Sequence, residues 1–517
     1  IVLIASPNHV DYPVVIWAVH QLGGIVSCAN PHFTAEELSY EIGICKPSLI
    51  VVHSGNLQTM LIASKMAGLS SSGRILLMDE ASAAPTSCDY RESPIATVSS
   101  LVSGGLYRIP ALVPYSMRAG EGKEKVAFLC WSSGTTGNPK AVEISHHAVL
   151  CNIVQMAVHN GHRGSDPPRS TRSWNPGDVS LGDVAGLVIG LHLSIFCAMT
   201  VVVVPKYDLA ELLDSIRQYS ISHLLLVPPQ AISLSKHLFQ SDRTFSHVKY
   251  ILIGAAPVSP HVQERLAELF PAAQIGQAYG LTEMTTTIAM VSSCQKDGPL
   301  GSAGQLLAGI KARVLKSDGR LASYGERGEL FVSGPSNALR YYNNPRATKE
   351  TFFDGWVRTG DEVAISEDSE VYVFDRVKVI APAELEGCLL GHPFVDDACV
   401  VGIPHPIMGE IPLAYVVPSR NAGYWSLDDE MHTTISREIF QYVASRKAGY
   451  KHLRGGIRFV DSIPVSSAEF YHVTSALIHP FRQKSPSGKI LRRVLKDRLN
   501  AAELQGTQHK NPTRAKL

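Results

Sequence analysis

Short apolar runs alternate with amphipathic stretches through the first half of the chain. Ile1–Ala5, Leu49–His53 and Val126–Leu129 are almost free of polar residues, as strands covered on both faces must be. Thr200–Val204, Leu224–Val227 and Tyr250–Ile253 repeat that pattern. Between such runs, Asp11–Leu22, Ala35–Ile44, Ala210–Tyr219 and His261–Phe270 space their apolar residues at the helical period. Glu36 and Glu37 suit the positive end of a helix that starts at Ala35. Strand and helix in alternation predict an α/β fold with parallel-type sheets. Past Gly309 the turn signals SDGR, GERG and FDGW separate short strands, which predicts an antiparallel β region. After residue 374 a smaller α+β section is expected to run to about residue 500, and the polar residues 501–517 read as a flexible tail.

Two kinds of segment stand out against this pattern. Gly186–Val204 contains no Asp, Glu, Lys or Arg, and its length alone meets that of a membrane span. His192, Ser194 and Thr200 lie within it, and a β-branched run ends it before Pro205. A buried helix followed by a core strand fits better. His159–Pro176 is polar and turn-rich and reads as an inserted, solvated loop, as does Val465–Lys484.

Composition narrows the class. The chain has 517 residues, more than one domain's worth. With 45% hydrophobic and 18% charged residues, wholesale disorder is excluded. Lys and Arg number 47 and Asp and Glu 46, a net charge of +1, which argues against a role built on electrostatic attraction to nucleic acid. Nine scattered cysteines without a CxxC read as reduced thiols of an intracellular protein. The chain opens on Ile1, inside a strand and without a secretory leader, so its natural front end is expected to be missing.

Candidate chemistry begins at Trp131–Lys140, WSSGTTGNPK, directly after an apolar strand. Dense Gly, Ser and Thr expose backbone N–H groups and hydroxyls able to wrap a polyphosphate, with Lys140 as a cation. The spacing is not that of a Walker A loop. This stretch resembles the phosphate loop of the adenylate-forming superfamily, which includes acyl-CoA ligases, beetle luciferase and adenylation domains of peptide synthetases. Further motifs follow in that superfamily's order: GAAP at Gly254–Pro257, QAYGLTE at Gln277–Glu283, GELFVSG at Gly328–Gly334, GWVRTGD at Gly355–Asp361, DRVK at Asp375–Lys378, PAELE at Pro382–Glu386 and PSGKILRR at Pro486–Arg493. The resemblance covers nearly the whole chain and is nearest in style to 4-coumarate:CoA ligase-like enzymes.

The resemblance implies a role for each matching residue. Ser132, Ser133, Gly134, Thr135, Thr136, Gly137 and Lys140 would hold the phosphates of ATP. Tyr279 and Gly280 would lie against adenine, closed on the other side by Ala255, Ala256 and Pro257. Thr282 would contact phosphate, and Glu283 would hold Mg2+. Asp361, after a Thr-Gly turn, and Arg376 would bind the ribose. Lys378 would be the hinge, and Lys489 would stabilise the charge that develops as a carboxylate attacks the α-phosphate. Ala255, Ala278 and Met284 would line the acid pocket. The implied reaction is a two-step one: an acyl-adenylate forms with release of pyrophosphate, then coenzyme A displaces AMP. Rotation of a mobile C-terminal domain, 375–500, against the AMP-binding domain, 1–374, would separate the steps.

Three departures weigh on that expectation. The family's aromatic–His–x–x–Gly motif is absent from Gly177–Leu191, and His192 comes too late to replace it. Val379–Ala381 joins DRVK to PAELE without the usual glycine loop, and 465–484 separates Lys489 from Ile463 and Pro464. They keep two alternatives open: an adenylating enzyme that feeds a carrier protein, and a nucleotide-binding remnant without thioester activity. The closing Ala515-Lys516-Leu517 resembles a peroxisomal address, which implies an import receptor as partner and a peroxisomal location, with the cytoplasm as alternative.

Overall fold

The computed structural model describes residues 1–70, 73–80, 95–108, 113–132, 139–161, 173–175, 181–236, 245–295, 298–316, 318–376, 382–405, 409–419, 429–446, 452–461 and 463. Among them, 1–256, 262–359 and 364–372 form one compact unit, and the described residues of 257–261, 360–363 and 373–517 a second.

In the first unit two seven-stranded sheets share one plan. The first has the order Arg340–Tyr341, Lys140–Ser145, Val126–Ser132, Val26–Cys28, Val2–Ala5, Leu49–Val52, Ile75–Leu77. From Val126–Ser132 onward its strands are parallel, while Lys140–Ser145 and Arg340–Tyr341 are added antiparallel. The second runs Gln305–Leu306, Thr286–Met290, Gln274–Leu281, Tyr250–Ile253, His223–Leu226, Ser173–Asn175, Thr200–Val201. It too is parallel except at one end, where Thr286–Met290 and Gln305–Leu306 are antiparallel. The parallel halves bury the apolar runs. Leu3, Ile50 and Val52 pack with Leu38 and Ile42 of helix Ala35–Cys45 and Met60 of helix Leu57–Met66. Thr34 starts the first of these helices with a reciprocal box: its hydroxyl accepts from the Glu37 N–H, and the Glu37 carboxylate accepts from the Thr34 N–H.

The predicted antiparallel region is a third sheet, ordered Lys311–Leu315, Gly328–Ser333, Trp356–Ile365, Phe352–Phe353, with Val371–Arg376 also on Trp356–Ile365. FDGW closes it with Asp354 and Gly355 at φ 49° and 77°, the two left-handed residues of a tight hairpin. The second unit has a three-stranded sheet, Val395–His405, Gly409–Pro418, Ile457–Phe459, with helices Pro382–Leu390 and Asp429–Ala444. Alternate residues serve its two faces. Val400, Ala414 and Val416 join Leu385, Leu389 and Ile439, whereas Cys399, Val401, Leu413 and Tyr415 join Ile463.

Four local readings change. The segment read as an inserted loop, His159–Pro176, contains the strand Ser173–Asn175, seated between His223–Leu226 and Thr200–Val201. Backbone pairing fixes it, so no apolar alternation announces it. The apolar Gly186–Val204 does begin as a buried helical segment, π-helical over Gly186–Leu193, with every residue but His192 buried. Its expected core strand, however, shrinks to Thr200–Val201 at the sheet edge, where Thr200 is exposed. Ser132 belongs to a strand rather than to the loop, since Val126–Ser132 continues to its register partner Lys140. Thr359 and Gly360 form no turn, because Trp356–Ile365 is one strand that takes up Gly360 at φ 70°. No described helix is long and apolar enough to cross a membrane.

Candidate functional site

The antiparallel ends of the two large sheets supply a cluster around Glu283. Ser132 and Lys140 are paired across the hairpin of the first sheet, and residues 133–138 between them lie outside the described set. Tyr341 sits on the neighbouring strand, opposite Val142. Glu283 follows strand Gln274–Leu281 of the second sheet, in a single helical turn, Thr282–Met284. Its carboxylate is buried, and its Oε1 accepts from Ser132 Oγ at 2.8 Å and from Tyr341 Oη at 2.7 Å. Its backbone carbonyl accepts from the Ala338 N–H at 2.9 Å. The Lys140 ammonium stands 5.0 Å from the centre of the Tyr341 ring, and no described carboxylate forms an ion pair with it.

The backbone beyond Glu283 is strained. Thr285 and Thr286 have φ 62° and 133°, unusual for β-branched residues. Their hydroxyls hold them there. Thr285 Oγ1 donates to the Ser336 carbonyl at 2.7 Å, and Thr286 Oγ1 to that of Val184 at 3.0 Å. A bulge between Tyr279 and Gly280 lets the following strand twist away. The buried Asn152 of helix His146–His159 braces the strand beside the bulge. Its side chain accepts from the Thr287 N–H at 3.1 Å and donates to the Thr287 carbonyl at 2.8 Å. Gly280 is obligatory at this bulge, since a Cβ there would enter the Thr286 carbonyl.

The other expected residues are spread more widely. Thr282, Ala278 and Tyr279 are half-buried around the cluster, with Tyr279 opposite Ala289. Met284 is fully buried. Ala255, Ala256 and Pro257 are exposed, and Ala255 has φ 75°. Asp361 is half-buried on its strand, and Arg376 ends Val371–Arg376. Ser133, Gly134, Thr135, Thr136, Gly137, Lys378, Lys489, segment 465–484 and Ala515-Lys516-Leu517 lie outside the described residues. Sequence reasoning passed over Tyr341, Ser336 and Asn152. The run RYYNNPRAT was a visible signal for the first, as two adjacent tyrosines before a helix-starting Asn-Pro, but nothing local pointed to a carboxylate 58 positions away.

A buried carboxylate with one oxygen held by two hydroxyls, beside a lysine at the mouth of a Gly/Ser/Thr loop, is a donor set suited to a metal–polyphosphate complex. Comparison with known proteins agrees. Residues 1–342 match the AMP-binding enzyme family and 384–468 the AMP-binding enzyme C-terminal domain. The probable 4-coumarate–CoA ligase 1 of Dictyostelium discoideum is 30% identical, over 95% of this chain and 84% of that protein. The peroxisomal OPC-8:0-CoA ligase 1 of Arabidopsis thaliana is 32% identical, over 96% and 83%. A benzoate CoA ligase from Burkholderia xenovorans LB400 has the same fold, with a TM-score of 0.76 at 20% identity, covering 96% of this chain and 89% of that one. The chain belongs to the AMP-binding enzyme family, in its 4-coumarate–CoA ligase-like, adenylate-forming branch.

Proposed function

We propose that the cluster around Glu283 is the metal–phosphate end of an ATP site in an acyl- or aryl-CoA ligase. The chain is an AMP-forming acid–thiol ligase: it activates a carboxylic acid as its adenylate, releasing pyrophosphate, and passes the acyl group to the thiol of coenzyme A. The observation that carries the site is the pairing of Ser132 and Tyr341 on one oxygen of a buried Glu283. Glu283 would hold Mg2+, which when bound offsets the charge of the phosphates. Lys140, Thr282 and the loop residues Ser133, Gly134, Thr135, Thr136 and Gly137 bind those phosphates. Tyr279, Gly280 and the Ala255–Pro257 backbone take the adenine, while Asp361 and Arg376 take the ribose. Lys489 reaches the α-phosphate from a mobile domain, 375–500, that swings about Lys378 against an AMP-binding domain, 1–374.

The acid is aromatic or of medium length and faces Ala255, Ala278 and Met284. The resemblance of Ala515-Lys516-Leu517 to a peroxisomal address, together with a relative named as peroxisomal, supports import into that organelle. The test is acid-dependent release of pyrophosphate over a panel of acids, followed by coenzyme A-dependent release of AMP. Pyrophosphate without thioester would favour transfer to a carrier protein instead. No pyrophosphate with any acid would overturn the ligase reading.

A further inference from the structure

Tyr341 touches both charged groups of the cluster at once. Its hydroxyl donates to Glu283 Oε1 and its ring face lies under the Lys140 ammonium. The side chain is only 5% exposed and is fixed independently of either partner. Its ring meets Phe352 edge-on at 5.5 Å, and its backbone N–H donates to Thr348 Oγ1 at 3.1 Å. The strand that carries it is paired to Lys140–Ser145 and anchored by the Arg340–Glu143 ion pair at 3.0 Å. The hydroxyl therefore meets Glu283 from a stationary post.

Both hydroxyl donors, Ser132 and Tyr341, use the same carboxylate oxygen. Among the described residues Oε2 accepts no hydrogen bond. A carboxylate free to rotate about its last bond would offer either oxygen and would be drawn toward the nearby lysine. Held by two donors on one side, it presents a single oxygen at no reorganisation cost. The aromatic ring under Lys140 gives that cation a weak partner in place of the carboxylate. We propose that Tyr341 is a positioning residue, which reserves Glu283 Oε2 for the divalent cation of metal–ATP and keeps Lys140 from occupying it. This rests on the reading of Glu283 as the metal-holding carboxylate.

Tyr341→Phe removes the hydroxyl and keeps the ring, so fold and lysine contact are retained. The readout is the ratio of affinities for ATP with Mg2+ and for ATP with excess chelator, measured by calorimetric titration on the full chain without any acid. The wild-type protein should gain affinity from Mg2+, and Tyr341→Phe should lose roughly tenfold of that gain, with metal-free ATP binding unchanged. In a Glu283→Gln background the same substitution should have no further effect on the ratio. Equal Mg2+ gains in wild type and Tyr341→Phe would overturn the proposal. So would a wild-type protein whose ATP affinity ignores Mg2+, or a Tyr341→Phe effect that persists without the Glu283 carboxylate. Should Tyr341→Phe lower the thermal midpoint, Tyr341→His, which restores a donor on a ring, should recover part of the Mg2+ gain, and failure to do so counts against the idea. Failure of the ligase reading shows elsewhere, as absence of pyrophosphate with every acid, because the titration needs no acid.

Discussion

Single side chains hold this cluster by bracing backbone as much as by bonding one another. Asn152 is the clearest case, because its amide bonds both the N–H and the carbonyl of Thr287, next to the bulge in that strand's pairing. Asn152→Ala would remove both of these buried hydrogen bonds. We expect a loss of about 2 kcal/mol in denaturant unfolding. A loss close to zero would mean that another group takes over. The legibility of the site follows the same division. Lys140 stands in a run whose composition speaks for polyphosphate binding, and Thr282 and Glu283 stand in one that the family resemblance singles out. Tyr341 and Asn152 act across the sheets, and a residue's neighbours in sequence carry no trace of a partner that only the fold supplies.

Elements were legible where burial is one-sided or complete. Helix Ala35–Cys45 follows from its spacing and from Glu36 and Glu37, and strand Tyr250–Ile253 from four apolar residues in a row. Ser173–Asn175 was not legible, since a three-residue strand is specified by the gap it fills. The same helix also carries an anomaly that no pattern predicts. Glu41 is 1% exposed, and neither carboxylate oxygen has a described partner. Burial, reinforced by the Glu37 charge, pushes its pKa well above the usual carboxylate range. The fold therefore binds a proton that the unfolded chain releases above about pH 4.3, and stability falls as pH rises from there. Glu41→Leu should stabilise the protein by roughly 1–3 kcal/mol at pH 8 and by less at pH 5. Urea unfolding at the two pH values decides it, and an equal gain at both would contradict the account.

For the whole molecule, the balance of buried titrating groups sets the acid limit. Burial pulls His20 down to about 4, against a hydrogen bond to the Ala127 carbonyl that works the other way. Burial also lowers His146, His159 and His192. These rings stay neutral in the fold, while the unfolded chain takes up protons below about pH 6.5. Their contribution is complete above that pH and is lost as pH falls through the lowered folded values, opposed, among the carboxyls of the described residues, by Glu41, which burial raises. The thermal midpoint should drop between pH 6.5 and 4.5, and a flat or rising midpoint would refute this. A second expectation concerns the division of labour along the chain. If Lys489 serves the α-phosphate, Lys489→Ala should slow pyrophosphate release roughly a hundredfold or more while ATP binding changes only a few-fold. Equal losses in both would assign it to binding. The order of motifs is the source of that expectation, but nothing in a linear pattern tells that both large sheets end in an antiparallel pair and that the cluster lies where those ends come together.

The hairpin that carries the loop has a consequence for how such a site can be altered. Ser132 and Lys140 are register partners, so the two ends of the loop stand on posts about 5 Å apart. Residues added to or removed from the span between them change its reach and its hydroxyl count without moving either post. Ser132 therefore keeps its bond to Glu283, and Lys140 its place over Tyr341, whatever the length of the loop. Grafting loops of different length onto these two residues is a direct way to test the phosphate recognition we propose for that span, while the charge centre stays where the sheet has put it.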